Sequence, residues 1–565
     1  MERIIKRMIC FIILTLFFIS TNALAITVNN NSQEIIDKQT TDKQLALLEI
    51  PDISDGADFD PLVDVEITFT IKMIRAFEKL DPFTDPDFYV KLFINDEKYT
   101  SPTWNNKNYV KDNPWSQTVN VPDTEQIVTF KIQLCEKDPG LDQLCDISRD
   151  YTILSDSRDV ELNYSIATGQ WYLDDINNFG YWGSSEADPS GRGRFNGCDD
   201  GSIHEKDLDC ELWFDITQND YDNDGIPYWA EVNIFETDPE DSDLGRDDDN
   251  DGVPFEWEYK WGFYAFEWGT RVYQGWIYDP LSWENHSSYD DDKDGLDNVE
   301  EYLASTEGFW TDPFRQDILL EIDQMEEGPN GEGAPIPELT YDLLWDSFAQ
   351  QNIIFHVDDD GRVLPFDDEL NGGRGGSESE LDKVYYEYFL NGDLHNWRHG
   401  AFHYGVIPYN ADYPGYMWGS NAYEGEWDGE WSHPNIYNVS MRGDCFLVET
   451  EFHDKRVDDY PLLRIITMRS INKEVRRAYV YAVAIMHETG HVLGLHGPGI
   501  DNRGTTKPWS IEFWIWIRYM SCMNYQKMYY LVDYSDGSRG KNDHDDWARI
   551  DLTQFEIEEN PYYQG

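Results

Sequence analysis

Alternation of apolar and polar residues dominates the first part of the chain. The runs Val63–Ile71, Phe88–Ile94, Ile127–Leu134 and Val160–Ile166 carry the two-residue period of half-buried strands. Turn-forming residues separate them, so residues 48–215 predict a β-sandwich. Past residue 314 the pattern changes. Gln316–Asp323 and Asn352–Val357 predict strands, Thr340–Gln351 a helix, and Ser470–Leu493 a long helix. In that last segment Val475, Ala478, Tyr479, Ala482, Val483 and Met486 form an apolar stripe at helical spacing. The aromatic run Trp509–Arg518 reads as a core strand, with the wall of a binding pocket as its other reading. The expected fold class is therefore multidomain: an N-terminal β-sandwich, a spacer, and a C-terminal α+β domain over 314–565.

The chain begins with Arg3, Lys6 and Arg7, then the apolar Met8–Ile19, then Ala23-Leu24-Ala25. Residues 1–25 are expected to be a secretory signal peptide, since the apolar run is too short to span a bilayer comfortably. Residues 26–47 are polar and aperiodic and read as a linker or pro-segment. This places the protein outside the cytoplasm, secreted or at the extracellular surface. Cysteine usage agrees. Beyond Cys10, sequence proximity favours Cys135–Cys145 and Cys198–Cys210, which leaves Cys445–Cys522. A zinc site made of cysteines is disfavoured because no CxxC pair exists.

A formal charge of -67 excludes nucleic acid as a partner, because phosphate would be repelled. The acidity reads either as a solvating surface or as a load of bound cations. In the middle of the chain its pattern favours cations. Three segments match D-x-D-x-D-G with a glutamate at the twelfth position: Asp220, Asp222, Asp224 and Glu231; Asp247, Asp249, Asp251 and Glu258; Asp290, Asp292, Asp294 and Glu301. Alternate carboxylates wrap a hard cation, the glycine permits the sharp turn, and the glutamate closes the shell, so calcium is expected. An acidic linker that was merely solvated would not keep glycine and glutamate in register. Each loop is followed by an Asp-Pro turn, at Asp238-Pro239, Asp279-Pro280 and Asp312-Pro313. Residues 216–313 thus resemble thrombospondin type 3 calcium repeats, with uneven spacing.

Within the long helix lies His487-Glu488-Thr489-Gly490-His491. Residues four apart share a helical face, so both imidazoles can reach one zinc ion with Glu488 beside them as general base. Gly494 follows, and Ser521-Cys522-Met523-Asn524-Tyr525 comes about thirty residues on. The combination resembles the metzincin zinc peptidases, with their HExxHxxGxxH helix and methionine turn. The resemblance implies His487 and His491 as zinc ligands, Glu488 as base, Met523 as the floor of the site, and Tyr525 as a ligand or transition-state donor. The family's third histidine would fall at Gly497. Here His496 comes one residue earlier and is the favoured third ligand; Asp501 could substitute, or the site could be incomplete.

In the sandwich, Asp81–Lys91 and Leu134–Asp142 resemble the calcium loops of a C2 domain, which implies calcium at Asp81, Asp87, Glu136 and Asp138. No basic surface accompanies these loops, so lipid binding does not follow and membrane association stays open. The expected function is a secreted zinc endopeptidase acting on protein or peptide substrates. The rival is a non-catalytic calcium-binding surface or matrix protein with a degenerate peptidase domain. The 21 Trp and 35 Tyr also suggest a carbohydrate-binding face, more weakly.

Overall fold

The computed structural model describes residues between 64 and 553, apart from short loops and the segments 174–191, 201–207, 371–379, 419–444, 460–471 and 496–503. The expected signal peptide, the linker, Asp81, His496 and Asp501 lie outside the described residues.

The chain is rich in sheet. Strand Asp64–Ala76 is the spine of the first sheet, flanked by Cys210–Thr217 on one side and Tyr109–Val110 and Trp115–Pro122 on the other, all antiparallel. Its alternation explains its place. Ile67, Phe69 and Ile71 point into the core, while Thr68 and Thr70 meet Thr118 and Ser116 at 2.9 and 3.0 Å on the outer face. A second antiparallel sheet runs Gln170–Leu173, Val160–Ser165, Ile127–Glu136, Phe88–Ile94, Glu97–Thr100. Residues of both sheets share one apolar core, where Phe69 stacks on Phe130 and on Phe214.

A bulge between Ile71 and Met73 shifts the alternation, so that Ile74 and Ala76 face the core and Met73 faces out. Met73 then packs with Trp213 against Ile354 of the C-terminal region. Arg75, buried beside Glu211, donates to Asp346 at 2.7 Å and lies over the Trp345 ring. Arg194 donates to Asn352 and to the Ala349 carbonyl. The sandwich is thus bolted to the C-terminal region by desolvated arginines.

The C-terminal sheet is ordered Ile354–Leu364, Asp317–Met325, Phe402–Ile407, Cys445–Val448, Gly415–Trp418. The first four strands are parallel, and Gly415–Trp418 is an antiparallel edge. Every residue of Asp317–Met325 is buried, because both faces of the sheet are covered. Helices Leu339–Ala349 and Lys473–Val492 pack on one face, through Leu344, Phe348, Tyr481 and Ile485. The other face is covered by Leu381, Tyr385 and Phe389, together with Leu296 and Ala304 of the third acidic repeat. That repeat is therefore part of the packed C-terminal unit.

The aromatic run departs from its expected core strand. Ser510 accepts from Glu512 N and starts a short helix, Ile511–Ile515, none of whose residues is buried. β-branched and aromatic residues predicted extended backbone, but among the described residues no strand pairs with this segment, and a local cap starts the helical turn.

Candidate metal centres

The helix Lys473–Val492 starts at Asn472, whose side chain accepts from Glu474 N at 3.0 Å. It ends where Gly494 takes a φ of 90° and Leu495 N returns to Gly490 O at 2.7 Å. This reversal has a second effect. It brings the Leu495 carbonyl to 2.9 Å from His491 Nδ1, while the Cys522 carbonyl lies 3.0 Å from His487 Nδ1. Each carbonyl fixes Nδ1 as the protonated nitrogen, which leaves Nε2 of both rings as the lone-pair donor. The rings stand 4.8 Å apart. Burial and the neighbouring His491 push the His487 pKa down to about 3, so its imidazole is neutral at pH 7, as a metal ligand must be.

Met523 lies directly against this helix. A Cβ added at Gly490 would stand 2.8 Å from Met523 Sδ and 3.0 Å from the Tyr534 ring. A side chain at 490 would have to displace Met523 or the Tyr534 ring. Gly490→Ala is expected to cost about 1–3 kcal/mol through overpacking and to lower zinc retention. Thermal melting together with metal analysis would check it; an unchanged melt would show that the turn yields freely. The Tyr525 ring stands 5.7 Å from that of His487. Glu488 is buried against the edge strand, its Oε1 2.6 Å from where a Cβ at Gly415 would be. The donor set therefore fits a zinc ion at two of its three expected ligands.

The three acidic loops share one backbone. Asn223, Asn250 and Lys293 take φ of 62°, 62° and 66°, and Gly225, Gly252 and Gly295 follow with φ of 93°, 107° and 93°. The first aspartate of each loop accepts from both of these positions. Asp220 accepts from Asn223 N and Gly225 N, Asp247 from Asn250 N and Gly252 N, and Asp290 from Lys293 N and Gly295 N. Ligand oxygens of Asp220, Asp222 and Asp224 lie within 4.8 Å of one another, as do those of Asp247, Asp249 and Asp251 and those of Asp290, Asp292 and Asp294. Glu231, Glu258 and Glu301 are all buried.

Three carboxylates escaped the sequence reading. The third aspartate of each loop also accepts, through Oδ2, from a residue far along the chain: Asp224 from Asp243 N, Asp251 from Glu284 N, and Asp294 from Asp317 N. Each donor follows its Asp-Pro turn at the same spacing, Asp238 to Asp243, Asp279 to Glu284, and Asp312 to Asp317. That recurrence was the available signal. Asp224, Glu231 and Asp243 form a further metal-sized group, and so do Asp251, Glu258 and His286. His286 lies outside any loop motif, and nothing in its local sequence marked it.

So many carboxylates in little water repel one another. Burial first, then Asp224 and Asp222, raise the Glu231 pKa to about 8; burial, then Asp251 and Asp249, raise Glu258 to about 10. Glu231 Oε2, Asp292 Oδ2 and both carboxylate oxygens of Asp249 are buried without a hydrogen-bond partner. These orphaned oxygens fit a multivalent cation. A sign follows for the metal-free protein. Folded pKa values above the ordinary 4.5 mean that the stability these groups contribute is full below about 4.5 and is lost as pH rises through about 8 and 10. Metal-free protein should therefore melt higher at pH 5 than at pH 9, and calcium added at pH 7 should release protons. Calorimetry in buffers of different ionisation enthalpy reads both; uptake of protons would contradict the assignment.

In the sandwich, the Asp87 turn and the 136–138 turn lie together, Lys137 N donating to Asp87 O. Asp87 accepts from Asn106 N and Asp138 from Gln143 Nε2, and Glu136 is buried. All six described cysteines are buried thiols. Cys145 and Cys210 share the sandwich core and are hydrogen-bonded to each other. Cys135 lies opposite Leu144, one residue from Cys145. Cys445 and Cys522 are not brought together. They belong to cores on opposite faces of the C-terminal sheet, a separation that pairing by remainder could not see.

No family model and no curated protein matches the chain. Solved structures match at low similarity. Human GIVD cytosolic phospholipase A2 is 12% identical with a TM-score of 0.17, over 28% of this chain and 17% of that one. A C2 domain is 9% identical with a TM-score of 0.17, over 27% of this chain and 98% of that one. The first C2 domain of plant Extended Synaptotagmin 1 is 9% identical with a TM-score of 0.17, over 28% of this chain and 97% of that one. The chain thus spans less than a fifth of the phospholipase it matches, and its structural neighbours include C2 domains.

Proposed function

We propose that the chain is a zinc endopeptidase of metzincin type, secreted and calcium-loaded. The observation that carries the reading is the pair His487 and His491, each with Nδ1 held by a backbone carbonyl, one helical turn apart above Met523. His496 is the third ligand in this reading. Zinc held there would lower the pKa of water and polarise the peptide carbonyl.

Glu488 takes the proton from the attacking water and hands it to the leaving amide nitrogen. Its burial in a weakly screening site strengthens that interaction with the reacting atoms. Tyr525, exposed beside His487, donates a hydrogen bond from its phenol to the oxygen that gains charge. Among the described residues Gly415–Trp418 is the edge of the sheet, and its first residue abuts Glu488. An extended peptide pairing with that edge would lie across the carboxylate. The acidic loops hold calcium and stiffen the region that carries the sheet.

Metal analysis of purified protein, with digestion of a denatured protein, tests the reading. One zinc per chain and hydrolysis that is lost on zinc removal and restored by zinc are expected. Folded protein without zinc and without hydrolysis would favour the degenerate-domain alternative, which the glycine at 497 supports.

A further inference from the structure

Large apolar side chains concentrate at one place on the described surface. Trp509, Ile511 and Trp514 are 83%, 78% and 62% exposed, and Ile515 and Ile517 continue the stretch. The wall of a pocket is largely covered by its own surroundings. Side chains this exposed stand out as knobs and fit something that closes around them.

The knob is held rather than loose. Trp514 Nε1 donates to Pro508 O at 2.9 Å, Gln526 Nε2 to Phe513 O at 3.3 Å, and Asn542 Nδ2 to Ile515 O at 3.1 Å. Little ordering entropy remains to be lost when the indoles are covered.

The charge around it departs from that of the chain as a whole. The whole chain has 43 basic against 110 acidic residues. Between positions 503 and 546 the charges balance, six basic residues against six acidic ones, Glu512, Asp533, Asp536, Asp543, Asp545 and Asp546. Lys507, Arg518, Arg539 and Lys541 are exposed. Arg518 donates to Arg539 O, and Lys541 adjoins the Asn542 that holds Ile515. Exposed cations therefore border the aromatic knob in sequence, Lys507, Arg518 and Lys541 among them, while Arg539 is paired with Asp536 at 3.2 Å.

We propose that this knob docks on an anionic lipid surface. Trp509, Ile511 and Trp514 enter the interfacial layer, where indole is favoured, and Lys507, Arg518 and Lys541 meet headgroup phosphate. Each such cation is attracted to the negative surface potential of an anionic bilayer. The net charge of -67 opposes approach, but screening over about 8 Å at physiological ionic strength confines that repulsion to the parts nearest the bilayer. Docking is thus limited to this end of the molecule. The inference stands on this surface alone and does not require the peptidase reading.

The test is co-sedimentation of the purified chain, in constant calcium, with phosphatidylcholine vesicles that contain or lack phosphatidylglycerol. Binding at least about tenfold tighter to the anionic vesicles is expected, with a blue shift of tryptophan emission. Trp509→Ser with Trp514→Ser should reduce it at least about tenfold, and Lys507→Glu with Lys541→Glu likewise. The tryptophan variant keeps its calcium loops, so calcium bridging between acidic protein and lipid would survive in it. Binding unchanged in that variant, equal binding to both vesicles, or no binding overturns the proposal. So does loss of protein-substrate hydrolysis with vesicle binding intact, which would make the knob a substrate-docking face.

Discussion

Glu488→Gln is expected to lower kcat on a peptide substrate about a thousandfold while leaving KM and zinc content nearly unchanged, a loss of roughly 4 kcal/mol in transition-state stabilisation. The amide is nearly isosteric with the carboxylate, so the contact with Gly415 and the helix packing survive. What disappears is the capacity to accept a proton from water. The split between kcat and KM carries the information, because a merely structural role would shift binding or folding instead. A variant that turns over at the wild-type rate would remove Glu488 from the reaction, and one that has lost zinc would show that the carboxylate holds the site together. Tyr525→Phe should give a smaller loss in kcat, since it removes one hydrogen-bond donor and leaves the general base in place.

Asp294→Asn should unfold more than a calcium loop. Asp294 Oδ2 accepts from Asp317 N, and Asp317 begins a fully buried interior strand of the C-terminal sheet. Asp317 Oδ1 in turn lies 2.5 Å from His356 Nε2 on the neighbouring strand. Gln316 Nε2 donates to the Asp292 carbonyl, and Leu296 and Ala304 sit in the core beneath the sheet. A cation bound in this loop would hold the strand register on which the long helix packs. A site held at a thousand times its dissociation constant stabilises by about 4 kcal/mol, and its loss leaves carboxylates buried and uncompensated. The expected result is loss of hydrolysis and a melting temperature lower by about ten degrees or more in millimolar calcium. Asp224→Asn, in the first loop, removes the same chemistry far along the chain from the sheet and should leave hydrolysis largely intact. Equal losses from the two variants would mean that the repeats act as one unit, and no loss from Asp294→Asn would dissociate the third loop from the sheet. The comparison avoids chelators, which would also strip zinc.

Local physics was legible without coordinates. Period two marked the strands Phe88–Ile94 and Ile127–Glu136, and period 3.6 marked Lys473–Val492, because each element has one face that must be buried. The aspartate loops were legible because carboxylate, glycine and glutamate all act within one short turn. The two histidines were legible because a helix fixes their separation.

Other assignments depended on which surfaces meet, and there the sequence was silent or misleading. Trp509–Arg518 has the composition of a buried strand, yet Ile511–Ile515 is a helical turn with no buried residue, and among the described residues no strand lies beside it. Cys445 and Cys522 were left over as a pair, yet a sheet stands between them. Asp243, Glu284, Asp317 and His286 reach the acidic loops only after the chain has turned back at the Asp-Pro corners. The sequence by itself determined the elements and the short-range metal motifs, since those follow from periodicity and from neighbours a few bonds apart. Tertiary structure alone decided which distant carboxylates converge, which carbonyls orient the two imidazoles, and which aromatic face is left in water, since these depend on contacts across the fold that no local pattern encodes.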